Sequence, residues 1–197
     1  MPDQPARRDD PPDSPWRTLA SREVYRNPWL AVTEYQVIRP DGAPGIYGLV
    51  DPGDNVTIVA LDADEQVCVI EDYLYAIQAW GWFLPTGSAD PGEEPLAAAQ
   101  RELAEETGLR AASWEALGAW YLSPGVVTQR SYFFLARDLT PGAPRREGTE
   151  ARMTARRMPL REACAASQRG ETPAATAALG LWLAWLRLRG APWDDGA

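Results

Sequence analysis

Histidine and lysine are both absent from this chain of 197 residues, and cysteine occurs only twice. Without histidine, no imidazole can serve as general base, nucleophile or metal ligand, so such chemistry falls to carboxylates and a bound metal. All 19 basic residues are arginine, which we interpret as a bias toward GC-rich codons rather than as a functional feature. The two cysteines, Cys68 and Cys164, lie in apolar or helical surroundings and suggest no disulfide framework.

The chain also has too few basic residues to balance its acidic ones, which leaves a net charge of −9. This charge argues against nonspecific binding to nucleic acid or to an anionic membrane. The longest apolar run, residues 177–186, is too short to cross a bilayer. Residues 1–15 lack the apolar core of a signal peptide, so we predict a cytoplasmic protein.

The length fits one domain with an appendage. Residues 1–16 combine proline and charge with almost nothing apolar, which predicts a disordered tail because such a segment cannot offset the entropy of ordering. We predict a small N-terminal antiparallel β unit at 17–52, the main domain at 53–190 and a short C-terminal tail at 191–197.

Alternation and turn chemistry predict a series of short strands. They lie at residues 23–25, 30–38, 46–50, 55–61, 66–73, 80–85, 114–122, 132–136 and 152–158. The strand at 55–61 has no polar alternation and should be buried on both faces, with 66–73 pairing back on it as a hairpin. Loops are predicted at 123–130 and 140–150, and a C-terminal helix at 175–188. This order is typical of an α/β sheet covered on both faces.

The main domain is organised around residues 87–109, which read GSADPGEEPLAAAQRELAEETGL. A helix begins at Pro95, since proline is tolerated in a first turn, and it ends before Gly108. The residues between them are good helix formers. Three apolar residues are expected to form its core stripe: Leu96, Ala99 and Leu103.

On this helix Glu102, Glu105 and Glu106 lie three or four residues apart and share one face. Like charges at this spacing repel by a few tenths of a kcal/mol per pair. A hard divalent cation reverses that cost, because it binds clustered carboxylate oxygens. The alternative is an alanine-rich helix whose acidic residues merely face solvent.

The spacing is more specific than the helix pattern. Five residues separate Gly87 from Glu93, seven more lead to Arg101, and the segment then continues with Glu-Leu-Ala-Glu-Glu-Thr-Gly-Leu. This resembles the Nudix box, Gly-x5-Glu-x7-Arg-Glu-U-x-Glu-Glu-x-Gly-U with U aliphatic, at every defined position. The resemblance implies an α/β/α sandwich with a mixed sheet, and an enzyme that cuts a nucleoside diphosphate linked to another moiety with Mg²⁺ or Mn²⁺.

By matching positions, the resemblance makes Glu102 and Glu106 the main metal ligands, with Glu105 supporting them. In relatives the carbonyl oxygen at the position of Thr86 is a further ligand. Arg101 can hold Glu105, which lies four residues later, and Glu93 would brace Arg101 or its loop.

A second resemblance concerns the substrate. Pro124 lies fifteen residues beyond Leu109 and is followed by Gly125, as in the substrate loop of the ADP-ribose pyrophosphatase subgroup. In that subgroup a later loop glutamate is catalytic or metal-binding, and Glu150 matches it best. Glu147 is the alternative, and both could instead be solvated loop charges.

Five aromatic side chains could stack on a nucleobase, although core packing is favoured for each of them: Trp29, Tyr35, Tyr47, Trp80 and Trp82. From these we select Trp29 and Tyr35 of the N-terminal unit. The chain departs from the subgroup at 72–74, where Asp-Tyr-Leu replaces Gln-Tyr-Arg. It also carries Phe83 and Gln129 where relatives carry glutamate. These departures put the preference for ADP-ribose itself in doubt.

The resulting hypothesis is metal-dependent hydrolysis of ADP-ribose, to AMP and ribose 5-phosphate, or of a related nucleotide sugar. One alternative is another Nudix substrate, such as a dinucleotide, a nucleoside triphosphate or a pathway-specific nucleotide sugar. A second is a non-catalytic nucleotide-sensing domain, although all the motif glutamates are present. The resemblance also implies a homodimer, because the small N-terminal unit needs a partner surface.

Overall fold

A computed structural model of the chain describes residues 10–146 and 148–190. The described residues divide into two compact units. The first is built from the described part of Met1–Gly53 together with Tyr121–Arg130, and the second from Asp54–Trp120 with the described part of Ser131–Ala197. The predicted domain boundaries and the predicted cytoplasmic location remain predictions.

The first unit contains a three-stranded antiparallel sheet in the order β1-β2-β3. Its strands are β1 Arg17–Arg26, β2 Ala31–Ile38 and β3 Pro44–Asp51. The turn between β2 and β3 has the predicted chemistry: the Asp41 carboxylate accepts from the Ala43 N–H at 3.0 Å, and Gly42 adopts a φ of 82°. The strands predicted in this region are confirmed.

The predicted N-terminal tail has defined contacts from Asp10 onward. The Asp10 carboxylate accepts from the Thr18 backbone N–H at 2.5 Å and from its hydroxyl at 2.8 Å. These bonds attach the segment to β1 and offset part of its ordering entropy. Residues 1–9 and 191–197 lie outside the described residues.

The second unit holds two sheets and the helices. Its elements are β4 Asn55–Ala60, β5 Gln66–Leu74, β6 Ala79–Phe83, β7 Thr86–Ser88, α1 Pro95–Thr107, β8 Arg110–Tyr121, β9 Arg130–Thr140, a 3-10 turn at Gly148–Glu150, β10 Thr154–Pro159, α2 Leu160–Gln168 and α3 Ala175–Arg189. One sheet runs β7-β4-β9-β8 and is mixed, since β4 is parallel to β9 and antiparallel to β7. The other runs β10-β5-β6 and is antiparallel.

Strand β4 lies at the centre of the core and is buried from Val56 to Ala60, as its lack of polar alternation predicted. Its side chains alternate between two apolar clusters. Val56 and Ile58 pack with α1, whereas Val59 packs with residues of α2 and α3. Helices therefore cover both faces, which confirms the α/β/α sandwich with a mixed sheet.

The predicted hairpin between the strands at 55–61 and 66–73 is wrong. Only an isolated bridge joins Leu61 to Val67, and β5 pairs with β6 and β10 instead. The Asp62 carboxylate accepts from the N–H groups of Asp64 and Gln66, which makes a local turn and not an extended ladder. Because both edges of β5 are occupied by other strands, it has no edge left for β4.

Two further elements of secondary structure, α2 and β7, are not predicted by the sequence pattern. Helix α2 follows Pro159 directly and is only nine residues long, so its period is too short to stand out in the sequence. Strand β7 lies between the predicted strand at 80–85 and helix α1, and it is fixed by pairing with β4, where Val56 opposes Gly87. None of the helices in the described ranges has the length and hydropathy needed to span a bilayer.

Candidate active site

Helix α1 has the predicted bounds. Gly108 ends it in a left-handed conformation with φ of 75°, and its N–H bonds the carbonyl oxygen of Ala104 at 3.0 Å. A side chain at this position would also collide with the neighbouring loop, since a Cβ would lie 2.4 Å from the carbonyl oxygen of Gly142. The motif glycine therefore sets both the end of the helix and the approach of that loop.

The buried face of α1 differs from the predicted core stripe. Leu96 is 40% exposed, while Ala98 is fully buried beside Ala99 and Leu103. Leu96 lies in the first turn and at the margin of the buried face, because each residue turns the helix by about 100°. Glu102 continues the row of Ala98 four residues later, and Glu106 follows after four more, so these two carboxylates lie on the buried side of the helix.

Glu102 packs directly against strand β7 and is 9% exposed. A Cβ at Gly87 would lie 2.0 Å from Cδ of Glu102 and 2.2 Å from its Oε1. Pairing with β4 holds Gly87 in place, and the Glu102 carboxylate fills the space that a side chain at Gly87 would occupy. Burial raises the pKa of Glu102, and the charges of Glu105 and Glu150 raise it further, against the lowering effect of Arg101.

Glu106 is the more deeply buried of the two, at 3% exposure. Its Oε2 accepts from the backbone N–H of Thr86 at 3.0 Å. Burial raises the pKa of Glu106 well above its usual range, and the negative charges of Glu102 and Glu150 add to that effect. A carboxylate in this setting is electrostatically unfavourable unless a positive charge joins it.

Arg101 connects the motif acids. Its Nε and Nη2 donate to the two carboxylate oxygens of Glu93 at 3.1 and 2.9 Å, a bidentate pair. Its Nη1 donates to Glu102 at 2.7 Å and to Glu105 at 3.2 Å, and its Nη2 also bonds the carbonyl oxygen of Ser88 at 2.9 Å. The bond to Arg101 lowers the pKa of Glu93, which also accepts from the N–H of Asp90 at 2.9 Å. The predicted pairing of Arg101 with Glu93 and Glu105 is therefore present.

The loop before β10 carries Glu150, whose negative charge raises the pKa of both Glu102 and Glu106. Arg146 anchors this loop. Its Nε donates to the carbonyl oxygen of Glu106 at 2.5 Å, and its Nη1 to that of Met153 at 2.6 Å. The cation thus satisfies a terminal carbonyl of α1, where the helix dipole favours positive charge.

Sequence reasoning did not find Arg146. Its only signal is its place in a loop just before the candidate glutamates, which is too weak to assign a partner. The neighbouring Arg145 adds a backbone bond, from its N–H to the carbonyl oxygen of Glu105 at 2.8 Å. Glu147, the alternative loop carboxylate, lies outside the described residues.

The acids fit a hard divalent cation by their chemistry. Glu102, Glu105, Glu106 and Glu150 offer only carboxylate oxygens, the donors that Mg²⁺ and Mn²⁺ prefer. The two buried carboxylates have raised pKa values, so a cation would relieve uncompensated negative charge. Across residues 10–146 and 148–190 no three acidic or thiol side chains already converge as a metal site, and Arg101 bonds two of the acids instead.

The predicted substrate-binding residues lie in the first unit. Tyr35 and Pro124 line a cleft of about 260 Å³ there, together with Trp16 and Tyr47. The Tyr47 hydroxyl donates to the carbonyl oxygen of Gly125 at 2.6 Å. Trp29 is 77% exposed.

The departures from the subgroup have structural roles. Phe83 is buried in the core, so the position where relatives carry glutamate is used here for packing. Leu74 packs against the same core, and its Cδ1 lies 3.5 Å from the position that a Cβ at Gly81 would occupy. Gln129 donates through Nε2 to the carbonyl oxygen of Gly53 at 2.9 Å, within the first unit.

Comparison with known proteins identifies two matching domain families and several relatives. Residues 51–179 match the NUDIX domain, and residues 16–50 match the nucleoside diphosphate sugar hydrolase N-terminal domain. The chain is 33% identical to a CMP-5'-(N-acetyl-N-hydroxy-3-aminopropyl)phosphonate hydrolase of Streptomyces rubellomurinus, over 92% of this chain and 87% of that protein. It is 32% identical to an ADP-ribose pyrophosphatase of Mycobacterium tuberculosis, over 79% of this chain and 76% of that one.

The fold has also been observed in a solved structure. An ADP compounds hydrolase superimposes with a TM-score of 0.75 at 23% sequence identity, covering 89% of this chain and 96% of that one. At this identity the likeness concerns the fold.

Proposed function

The chain belongs to the Nudix family of pyrophosphohydrolases, and we propose that it cleaves the pyrophosphate bond of a nucleoside diphosphate linked to another moiety. The observation that carries the proposal is the set of carboxylates held by Arg101, with Glu102 seated against Gly87. The negative charge of these carboxylates explains why a cation is needed, since the site would otherwise repel a diphosphate.

We assign metal binding to Glu102 and Glu106, with Glu105 and the carbonyl oxygen of Thr86 in support. When bound, Mg²⁺ or Mn²⁺ supplies neutralisation of the diphosphate charge and activation of the attacking water. Arg101 orients the carboxylates through its hydrogen bonds. Glu150 accepts the proton of the water as general base, since no histidine is present to do so.

ADP-ribose, cut to AMP and ribose 5-phosphate, is the first candidate substrate. It is supported by the relative in Mycobacterium tuberculosis that is an ADP-ribose pyrophosphatase. A conjugate of CMP is the second candidate, because the relative in Streptomyces rubellomurinus acts on a CMP-linked phosphonate and matches 92% of this chain. We further propose that Trp29, Tyr35, Pro124 and Gly125 contribute to substrate binding from the first unit.

We also propose that the working protein is a homodimer. The three-stranded sheet of the first unit is small and exposes Val24, Trp29 and Ile46, so that a partner surface would stabilise it. Light scattering should give about twice the 21.7 kDa of one chain. A fully active monomer at the assay concentration would refute this.

The experiment that tests the activity is a substrate panel with Mg²⁺ or Mn²⁺. It compares ADP-ribose, CMP conjugates, UDP- and GDP-sugars, NADH and diadenosine polyphosphates, with phosphate-containing products identified by chromatography. We expect hydrolysis of at least one nucleoside diphosphate conjugate and its abolition by EDTA. Full turnover in EDTA, or release of no nucleoside monophosphate from any conjugate, would contradict the proposal.

A further inference from the structure

An exposed aromatic and an arginine face each other on the sheet β10-β5-β6 of the second unit. Trp80 is 58% exposed, and its ring lies edge-on to that of Tyr73, with centroids 5.9 Å apart. The guanidinium carbon of Arg152 lies 6.0 Å from the centroid of Trp80. The contact with Tyr73 fixes the Trp80 ring while leaving much of it open to a ligand.

Trp80 and Arg152 together line two adjoining clefts. One has a volume of about 460 Å³ and is completed by residues that include Glu71 and Thr154. The other has about 560 Å³ and is completed by residues that include Tyr73 and Tyr75. Both volumes fall in the range of small-molecule sites.

Charge decides what this site would bind. Of the acidic residues that line the first cleft, Glu71 is paired with Arg156 at 3.6 Å and Glu171 with Arg169 at 2.5 Å. Arg152, in contrast, has no ion-pair partner in the part of the chain that the structure describes. In the first cleft, the side chain whose charge is not already paired is therefore the planar guanidinium of Arg152, which is suited to a phosphate group. The second cleft is also lined by Asp72, whose Oδ1 accepts from the backbone N–H of Tyr73 at 2.7 Å.

Arg152 also lies close to the catalytic carboxylates. It follows Glu150 by two residues, so their Cα atoms are at most about 7 Å apart. A ligand whose phosphate is bound by Arg152 would therefore lie near Glu150, the proposed general base.

We propose that this site binds the nucleoside monophosphate half of the substrate, with the nucleobase stacked on Trp80 and the phosphate bound by Arg152. The assignment rests on the proposed pyrophosphohydrolase function. Trp82, two residues from Trp80, could not stack on the base in the same way, because it is only 7% exposed and packs in the core.

The test is a calorimetric titration of the full chain with AMP, CMP, adenosine and cytidine in EDTA, which needs no catalysis. We expect Trp80→Leu to weaken nucleotide and nucleoside alike by about 5- to 100-fold, because base–aromatic stacking contributes to both. Arg152→Gln should weaken the monophosphate by about tenfold or more and leave the nucleoside unchanged. Arg161→Gln, which alters an exposed arginine on α2, should change neither affinity.

Several results would overturn the assignment. Unchanged affinities in both variants would do so, as would weakening by Trp29→Leu or Tyr35→Leu alone, which would place the base in the first unit. A Trp80→Leu variant that alters only the oligomeric state would identify the surface as a contact between chains instead. Because these titrations do not depend on turnover, an inactive protein that still binds AMP or CMP through Trp80 and Arg152 would count against the proposed function alone.

Discussion

The carboxylate of Glu102 occupies the space that a side chain at Gly87 would need, with Cδ only 2.0 Å from the position of a Cβ. Glu102 belongs to helix α1, and Gly87, fifteen positions earlier in the chain, belongs to strand β7. Glycine is required here for space, and its φ does not fall in the left-handed region. The first position of the motif and its first helical glutamate therefore act as one unit.

Replacing Gly87 by alanine should displace Glu102 without breaking the strand. We expect a loss of about 10²-fold in kcat, the usual consequence of moving a catalytic group by about 1 Å. Gly48→Ala is the matched control, because Gly48 also lies in a strand and a Cβ there would meet nothing within 4 Å. Steady-state kinetics together with circular dichroism would check both variants, and equal activity in the two would contradict the prediction.

Glu106→Gln keeps the volume of the side chain and removes its charge. We expect turnover to fall by about 10³-fold or more, equivalent to about 4 kcal/mol of transition-state stabilisation, with the fold retained. Glu94→Gln is the control, since Glu94 is exposed at the start of α1 and its side chain makes no capping bond. Near-normal turnover by a folded Glu106→Gln protein would argue against the metal-binding role.

Glu150→Gln tests the general base. We expect kcat to fall by about 10²- to 10⁴-fold with little change in KM, because proton acceptance matters in the transition state rather than in binding. If Glu147→Gln gives this result instead, the loop carboxylate is Glu147, and if neither does, another group accepts the proton.

Arg146→Gln should loosen the loop that carries Glu150. The arginine donates to the carbonyl oxygens of Glu106 and Met153, and charged hydrogen bonds of this kind contribute about 1.5–3 kcal/mol to stability. Arg145→Gln is a close control, because Arg145 contributes its backbone N–H rather than a side-chain bond to the helix. Urea denaturation should give a lower midpoint for Arg146→Gln than for wild type, and an unchanged midpoint for Arg145→Gln. Equal midpoints for all three proteins would show that the side-chain bonds of Arg146 do not stabilise the fold.

The cysteines should be unreactive in the native protein. Burial raises the pKa of Cys68 and of Cys164 to about 11, from a reference value of 9.0. At pH 8 we therefore expect a disulfide reagent to label both thiols slowly in buffer and rapidly in urea.

The same pKa shifts make stability depend on pH. The pKa of each thiol is higher in the folded protein than in the unfolded chain. The contribution of each thiol to folding stability is therefore complete below about pH 9 and is lost between pH 9 and about 11. The denaturation midpoint of wild type should fall more steeply over that range than that of the Cys68→Ala and Cys164→Ala double variant. Parallel profiles would show that these thiols do not contribute.

The sequence by itself determined the features that depend on neighbours along the chain. The bounds of α1 follow from Pro95 and Gly108, because the constraints of proline and of a left-handed terminal residue are local. The spacing of Glu102, Glu105 and Glu106 places them on one side of any helix they form, whatever surrounds it. The strand at 55–61 is recognisable as buried for a similar reason, since its lack of polar alternation can be read without knowing its partners.

Only the tertiary structure decided which surfaces meet. The sequence does not show that β5 pairs with β6 and β10 rather than with β4, because each ladder offers the same backbone groups and the choice depends on long-range packing. It does not show that Trp82 is buried and Trp80 exposed, since residues two apart on a strand share a face and differ only in what covers them. The anchoring of α1 by Arg146 joins segments forty residues apart, and the burial of Glu106 that raises its pKa likewise arises only in the folded chain.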